Sequence, residues 1–339
     1  MRRLTLTRWR RALALPLAAA ALASAPPAFA TTTCSASLSN VAFGASDPFN
    51  GWADVSATLS YQCQTFGLSL LANAAVRLCL SIGDGAQGDG GITPRRMLSG
   101  ASALQFNLYS DASRTQVWGT YPGNHVEVVL QYAVPLLGGS GSGSRTVYAR
   151  VPANQLSAVP GTYLNSFSGI DAEARYRYDE RLLGSATVPG NCTSAGDGGG
   201  TTNFPFDASA TVNAACMPGF TVQDVDFGTR GLLATAVDTT ATISPRCTNT
   251  TPYQIGLDDG LHATGQQRRM RSLAGRYVGY ELYRDAARTQ RWGDTPNTDT
   301  VGGTGNGSVQ SVTVHARVAA QATPPQGVYS DTVTVTIYY

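Results

Sequence analysis

The sequence predicts an all-β chain built as two antiparallel β-sandwich units, and three observations carry that reading. The first is a long motif that occurs twice. Arg95-Arg96-Met97 and Ser99, then Leu108-Tyr109, Asp111-Ala112, Arg114-Thr115-Gln116 and Trp118-Gly119, return as Arg268-Arg269-Met270 and Ser272, then Leu282-Tyr283, Asp285-Ala286, Arg288-Thr289-Gln290 and Trp292-Gly293. A repeat of that length means one design used twice. The second is the strand pattern: segments 56–63, 126–132, 145–151, 311–318 and 332–339 alternate or are rich in β-branched and aromatic residues, with Gly, Asn, Asp and Pro clusters between them. The third is that no segment beyond residue 30 carries a sustained 3.6-residue apolar period capped at both ends, so helix is minor.

Taken in order, residues 1–30 combine Arg2, Arg3, Arg8, Arg10 and Arg11 with an apolar run over 12–25 and end in Ala28-Phe29-Ala30, the plan of a secretory signal peptide. The run is shorter than the ~18–20 residues a membrane span needs. The first unit is expected over 31–193 and the second over 203–339. Between them Ser194 to Thr202, with Gly-Asp-Gly-Gly-Gly at 196–200, reads as a flexible linker. The segment 203–213 has two readings: the opening strand of the second unit, or a strand given in cis to the first. The alternation of Phe204, Phe206, Ala208, Ala210 and Val212 on one face favours the latter, with Pro205 tolerable at an edge.

The two copies differ in length. The offset between equivalent residues is 184 at Cys63/Cys247, 173 at Arg95/Arg268, 174 at Gly119/Gly293 and 167 at Ala149/Ala316. The first unit therefore carries about eleven extra residues between Cys63 and Arg95, seven between Gly119 and Ala149, and an extension from Tyr178 to Cys192. Each insertion has an apolar cluster: Phe66, Leu68, Leu70 and Leu71; Val134, Leu136 and Leu137; Leu182 and Leu183. Such clusters on exported loops are candidate contact surfaces if they gather at one pole.

All 24 basic residues are arginine, and five lie in the signal, so the formal charge of +2 becomes 19 − 22 = −3 after its removal. A nucleic-acid or anionic-membrane partner loses its electrostatic motive. The six cysteines of an exported chain read as three disulfides. Cys34 and Cys63 stand 29 apart around Phe43-Gly44, as Cys216 and Cys247 stand 31 apart around Phe227-Gly228, which leaves Cys79 for Cys192.

No catalytic or cofactor chemistry is expected. His125, His262 and His315 form no HExxH pair, and there is no Cys-x-x-Cys. Gly83-Asp84-Gly85-Ala86-Gln87-Gly88 matches a dinucleotide loop by letters alone, precedes Ile92-Thr93-Pro94 where a helix is needed, and reads as a flexible hairpin. Asp84 and Asp89 offer too few fixed oxygens for calcium. Trp52 and Tyr121 suit sugar stacking, but no carboxylate pair accompanies them. Asp111 with Arg114, and Asp285 with Arg288, being repeated, are read as turn-ordering groups beside Trp118 and Trp292. Arg95-Arg96 and Arg268-Arg269 suit either acidic neighbours or an assembly partner.

The early Cys34, the Phe43-Gly44 pair, Cys63, the Leu108 to Gly119 block and the ending Gly327-Val328-Tyr329-Ser330-Asp331-Thr332-Val333-Thr334-Val335-Thr336-Ile337-Tyr338-Tyr339 together resemble the spore coat protein U domain family. The resemblance covers both units. It implies immunoglobulin-like sandwiches, the second lacking its final strand, and the layout of a two-domain tip adhesin of archaic, Csu-type chaperone–usher pili. In such pili a neighbour's N-terminal extension fills the groove of each subunit. The implied partners are a periplasmic chaperone, an outer-membrane usher, an adjacent pilin and an abiotic or host surface, with export through the periplasm to a pilus tip.

The residues agree with that logic. The terminal strand turns Val333, Val335, Ile337 and Tyr339 to one side, and nothing after it covers the edge, which invites a strand from outside. Cleavage after Ala30 leaves Thr31, Thr32 and Thr33 before Cys34, too few for a donor strand. A subunit that accepts but does not donate is expected at the end of a fibre. The alternatives are a structural envelope or coat protein of the same domains without specific adhesion and, less favoured, a carbohydrate-binding or carbohydrate-acting protein.

Overall fold

The structure, a computed structural model, describes residues 31–49, 51, 53–67 and 72–339. The expected signal peptide, Trp52, Leu68, Leu70 and Leu71 lie outside the described residues. The architecture is all-β, in two units.

The first unit holds β1 (Thr31–Leu38), β2 (Val41–Ala45), β3 (Ala53–Phe66), β4 (Ala72–Ile82), β5 (Arg95–Ser99), β6 (Ser102–Tyr109) and β7 (Val126–Val134). It continues with β8 (Gly139–Val151), β9 (Gly161–Phe167), β10 (Ala172–Leu182), β11 (Gly198–Asn203) and β12 (Phe206–Val212). One sheet runs β1-β3-β8-β6-β5-β9-β12-β2 and the facing sheet β11-β10-β4-β7. Inward positions such as Leu59, Leu78, Leu80, Met97, Phe106 and Val147 are almost fully buried between them. The β3–β8 ladder runs from Ala53↔Val151 to Thr65↔Gly139, which at ~3.3 Å per residue makes the unit about 40 Å long.

Two glycine-rich stretches are strands because their missing side chains are needed. A Cβ on Gly141 would sit 2.6 Å from the Tyr132 ring, and one on Gly143 2.7 Å from the Tyr61 hydroxyl. On β11 a Cβ at Gly200 would lie 2.8 Å from the Tyr176 hydroxyl. The expected flexible linker is therefore corrected: 198–203 is an edge strand paired with β10 from Glu173↔Asn203 to Tyr178↔Gly198. The 83–88 hairpin is likewise braced, not loose. Arg95 Nε donates to the Gly83 carbonyl at 2.6 Å, Asn165 Nδ2 to that of Asp84 at 2.7 Å, and Gln87 N to Asn165 Oδ1 at 3.1 Å.

The second unit holds β13 (Thr221–Val222), β14 (Val237–Ser244), β15 (Pro252–Leu257), β16 (Arg269–Ser272), β17 (Tyr277–Gly279) and β18 (Glu281–Tyr283). Then come β19 (Val301–Thr304), β20 (Val312–Val318), β21 (Tyr329–Ser330) and β22 (Val335–Tyr338). They form three sheets, β13-β14-β20-β18, β19-β15-β22 and β17-β16-β21. The units touch where Arg246 lies over the Phe49 ring at 4.8 Å and Asn249 Nδ2 donates to the Ser157 carbonyl at 2.9 Å.

The repeated motif is scaffold. Arg95 and Arg268 are completely buried. Arg95 Nη2 donates to the carbonyls of Ile82 and Trp118, and Arg268 Nη2 to those of Leu257, Asp258 and Trp292. Burial lowers the Arg95 guanidinium to about 10, still charged at neutral pH. An assembly partner cannot reach either. The Asp111 carboxylate accepts the Thr115 and Gln116 N–H groups, as Asp285 does for Thr289 and Gln290, and the indoles of Trp118 and Trp292 donate to Leu80 and Ile255 carbonyls at 2.8 Å. Arg114 and Arg288 turn away from these aspartates toward Asp54 and Asp238. Disulfides join Cys34 to Cys63, Cys79 to Cys192 and Cys216 to Cys247.

Candidate functional site

Strand register brings the three insertions to one pole of the first unit. Ala72, at the start of β4, pairs with Val134 on one side and Leu182 on the other. Thr65 pairs with Gly139, and Phe66 with Thr31. The β7–β8 tip, the β10 end and the β3 end therefore share the end of the sandwich remote from Ala53 and Val151. Phe66, Leu136, Leu137, Leu182 and Leu183 are all more than half exposed there. Val134 is not: at 1 % exposure it packs with Ala72 and Ala74 beneath the tips, a correction to its place among the contact residues.

Leu136-Leu137-Gly138 and Leu182-Leu183-Gly184 are the same tripeptide, each with its second leucine in a left-handed backbone conformation. Leu137 (φ 83°) and Leu183 (φ 55°) both occupy the left-handed region and are 72 % and 75 % exposed. A bulky residue pays roughly 1–2 kcal/mol there, and neither side chain recovers that cost by burial in its own unit. The Leu-Leu-Gly repetition was readable in the sequence; its backbone conformation was not.

Below this rim the sheets are bridged by polar groups. Thr32 Oγ1 lies 2.6 Å from Thr65 Oγ1 and donates to Glu180 Oε1 at 2.6 Å, and Thr65 Oγ1 lies 2.9 Å from the Tyr132 hydroxyl. Burial raises the Glu180 carboxyl above its usual range despite the Thr32 hydrogen bond.

The second candidate is seen by laying one unit on the other. Leu38↔Leu59 corresponds to Val222↔Ile243, Ser39 N→Thr58 O to Gln223 N→Thr242 O, and Gly44 (φ 66°) to Gly228 (φ 67°). Farther on, Leu98↔Leu164 corresponds to Arg271↔Ser330, and Tyr163 Oη→Val159 O to Tyr329 Oη→Pro325 O. In the first unit β12 fills the space so bracketed, antiparallel to β9 and parallel to β2. Phe204, Phe206, Ala208, Ala210 and Val212 are at most 4 % exposed in the first unit's core, Phe206 stacked on Phe167 at 4.5 Å.

In the second unit that space is open. Segment 225–229 is not a strand where β2 is one, and β21 spans two residues where β9 spans seven, because the central ladder partner is missing. A groove of about 380 Å³ remains, lined by Val225, Phe227, Tyr280, Tyr329, Val333 and Val335 among others, next to one of about 860 Å³ around Val278, Val318 and Val328. On its floor Tyr280 donates to Asp331 Oδ2 at 2.8 Å, and burial together with that carboxylate pushes the phenol's pKa up strongly.

The expected edge residues divide. Val333 and Val335 line the groove, while Ile337, farther along β22, and Tyr339, just past its end, lie outside it. β22 pairs with β15 as β10 pairs with β4, and the outer side of β10 is covered by β11. Tyr339 is 65 % exposed, whereas Tyr176, its counterpart beside Gly200, is 8 % exposed. The groove residues Val225, Phe227, Tyr280 and Tyr329 were missed from sequence; the signal was their equivalence to Val41, Phe43, Phe106 and Tyr163.

Among the described residues, Cys79, His125 and Glu127 bring metal-ligand atoms within 4.8 Å of one another, but the Cys79 sulfur is bonded to Cys192.

The profile of the Spore Coat Protein U domain matches residues 18–168 and 202–336, both units of the repeat. The chain belongs to that family. A curated relative, Protein U of Myxococcus xanthus, is 35 % identical over 163 residues, 45 % of this chain and 80 % of the relative. Among solved structures, a chain of the CsuC–CsuE chaperone–tip adhesion subunit pre-assembly complex, from archaic chaperone-usher Csu pili of Acinetobacter baumannii, matches 91 % of this chain and 100 % of its own length, with a TM-score of 0.51 at 18 % identity. That likeness establishes the shared fold. The second Spore Coat Protein U match opens at residue 202, yet 206–212 packs in the first unit, so the match and the packed unit divide the chain at different places.

Proposed function

We propose that this chain is the tip adhesin of a chaperone–usher pilus, attaching cells to surfaces through the apolar pole of the first unit and joining the next pilin through the second. The observation that carries the reading is the asymmetry between the copies: one groove is filled from within the chain by 204–212, the other is open. A unit complemented in cis requires no neighbour. Its partner unit exposes a groove and the β22 edge, which suits a strand from an adjacent pilin and, before assembly, one from a periplasmic chaperone that delivers the subunit to an outer-membrane usher. Segment 31–38 is already paired with β3 along its whole length, so it is not free to serve a neighbour.

At the other pole, Phe66, Leu136, Leu137, Leu182 and Leu183, with Leu68, Leu70 and Leu71 adjoining in sequence, form a contact surface for apolar abiotic material or host molecules. Burying a few hundred Å² of such tips contributes several kcal/mol before the costs of association, at ~25 cal/mol per Å². Many pili per cell make that firm through multivalency. Replacing these five exposed residues by serine in assembled pili is expected to abolish attachment to polystyrene at unchanged pilus number. Undiminished attachment overturns the apolar-pole reading, and immunogold labelling along whole shafts overturns the tip position.

A further inference from the structure

Resting on the reading of the second-unit groove as a strand acceptor, we infer that this groove selects its donor by charge. It prefers a strand with a basic residue at the position that Asp207 occupies in β12, and it discriminates against a second copy of the chain's own 203–213 segment. The first unit supplies the template. There Asp207 N donates to Asn40 Oδ1 at 3.0 Å, and the outward-facing Asp207 lies between Asn40 on the β2 side and Ser166 of β9. Asn40 is neutral and tolerates the Asp207 carboxylate.

The equivalent of Asn40 is Asp224. The assignment is fixed on both sides, by Ser39/Gln223 with their matching backbone hydrogen bonds and by Gly44/Gly228 with their matching left-handed φ. The equivalent of Ser166 is Thr332. An incoming strand in the β12 register would thus present its N–H to the Asp224 carboxylate and its outward side chain between Asp224 and Thr332. Asp226, two residues along the same edge, stands where the first unit has Ala42. Both aspartates are exposed, and among the described residues neither has an ion pair. Arg230, farther along the same edge, turns its Nε to the Phe227 carbonyl and stands where the first unit has Ser46, which meets Thr211 and not Asp207; across the groove, Arg271 pairs with Ser330.

Beside the Asp207 position, the groove that receives its strand in cis has Asn40 and Ala42, which are neutral; the open one has Asp224 and Asp226. Opposite charges on neighbouring strands strengthen pairing by up to about fivefold and like charges weaken it by a similar factor. Aspartate against Asp224 and Asp226 is therefore penalised and lysine favoured. The same rim keeps the Asp207-bearing segment of another copy from lodging in the groove.

The test uses the full mature chain and three fluorescent peptides of sequence 203–213: unchanged, Asp207→Ala and Asp207→Lys. Anisotropy titration at low salt is expected to rank the affinities Lys, Ala, Asp, with roughly tenfold between the extremes. The spread is expected to shrink to less than twofold in the Asp224→Asn/Asp226→Asn variant and to narrow in 0.5 M salt, a condition that needs no variant to fold. Equal binding of the three peptides, or a spread indifferent to both salt and the variant, overturns the charge selection while leaving the acceptor groove intact. No binding by any peptide overturns the acceptor reading itself.

Discussion

Replacing Phe206 by alanine tests whether β12 is part of the first unit's stability or merely lies against it. Phe206 is 4 % exposed, stacks on Phe167 at 4.5 Å with ring planes 2° apart, and adjoins Phe204, which stacks on Trp118 at 6.1 Å. These contacts extend a row of aromatic rings through Phe106 to Phe43. Truncating a buried phenylalanine costs about 3–5 kcal/mol, lost transfer energy plus the cavity left behind. At ~2–4 °C per kcal/mol for a unit of this size, the first unit's Tm should fall by about 6–20 °C. The assay is differential scanning calorimetry of the full chain, with each transition assigned by hydrogen exchange. The second unit's transition should not move. A double-mutant cycle with Phe167→Ala should return about 0.5–1.5 kcal/mol of coupling from the stacked pair. If Phe206→Ala leaves the first transition in place, or lowers only the second, segment 203–213 belongs energetically to the second unit and the asymmetry of the two grooves disappears.

Further consequences follow from the scaffold. Arg95→Lys keeps the charge but loses the planar fork that reaches the Gly83, Ile82 and Trp118 carbonyls; it should destabilise the first unit by about 3 kcal/mol or more in urea unfolding, through buried acceptors left unpaired. Removing the Cys79–Cys192 bond as Cys79→Ala/Cys192→Ala opens a loop with a sequence separation of 113 and should cost about 4–5 kcal/mol through the unfolded chain, read by the same method. Burial raises the Glu180 pKa, so its contribution to stability is full below the ordinary value of about 4.5 and is lost as pH rises through the folded-state value. Glu180→Gln, which stays neutral and still accepts from Thr32, should therefore raise Tm at pH 7–8 and change it little at pH 4. An equal effect at both ends of that range would assign the change to packing.

Much of the fold was legible because the information is local or repeated. Alternation marks strands, and the doubled Leu108 to Gly119 block marks two copies whose offsets locate the insertions. The alternation of Phe204 through Val212 likewise declared a strand with one buried face. What sequence left open was which unit buries it, since a period of two says that a face is covered and not by what.

The sequence by itself determined the two-unit β architecture, the cysteine pairs and the apolar character of the insertions, because these follow from periodicity, spacing and composition. Tertiary structure alone decided the rest. It made 198–203 a strand, since only the rings of Tyr176 and Tyr178 across the sheet explain why glycine is required there. It buried Val134 while leaving Leu136 and Leu137 outside, because Val134 makes the last ladder pair, with Ala72, and the two leucines lie two and three residues beyond it, where the chain turns at the rim. And it left the space between Phe227 and Tyr329 empty while filling the one between Phe43 and Tyr163, because a strand can enter only one of two equivalent grooves and the chain placed its own in the first.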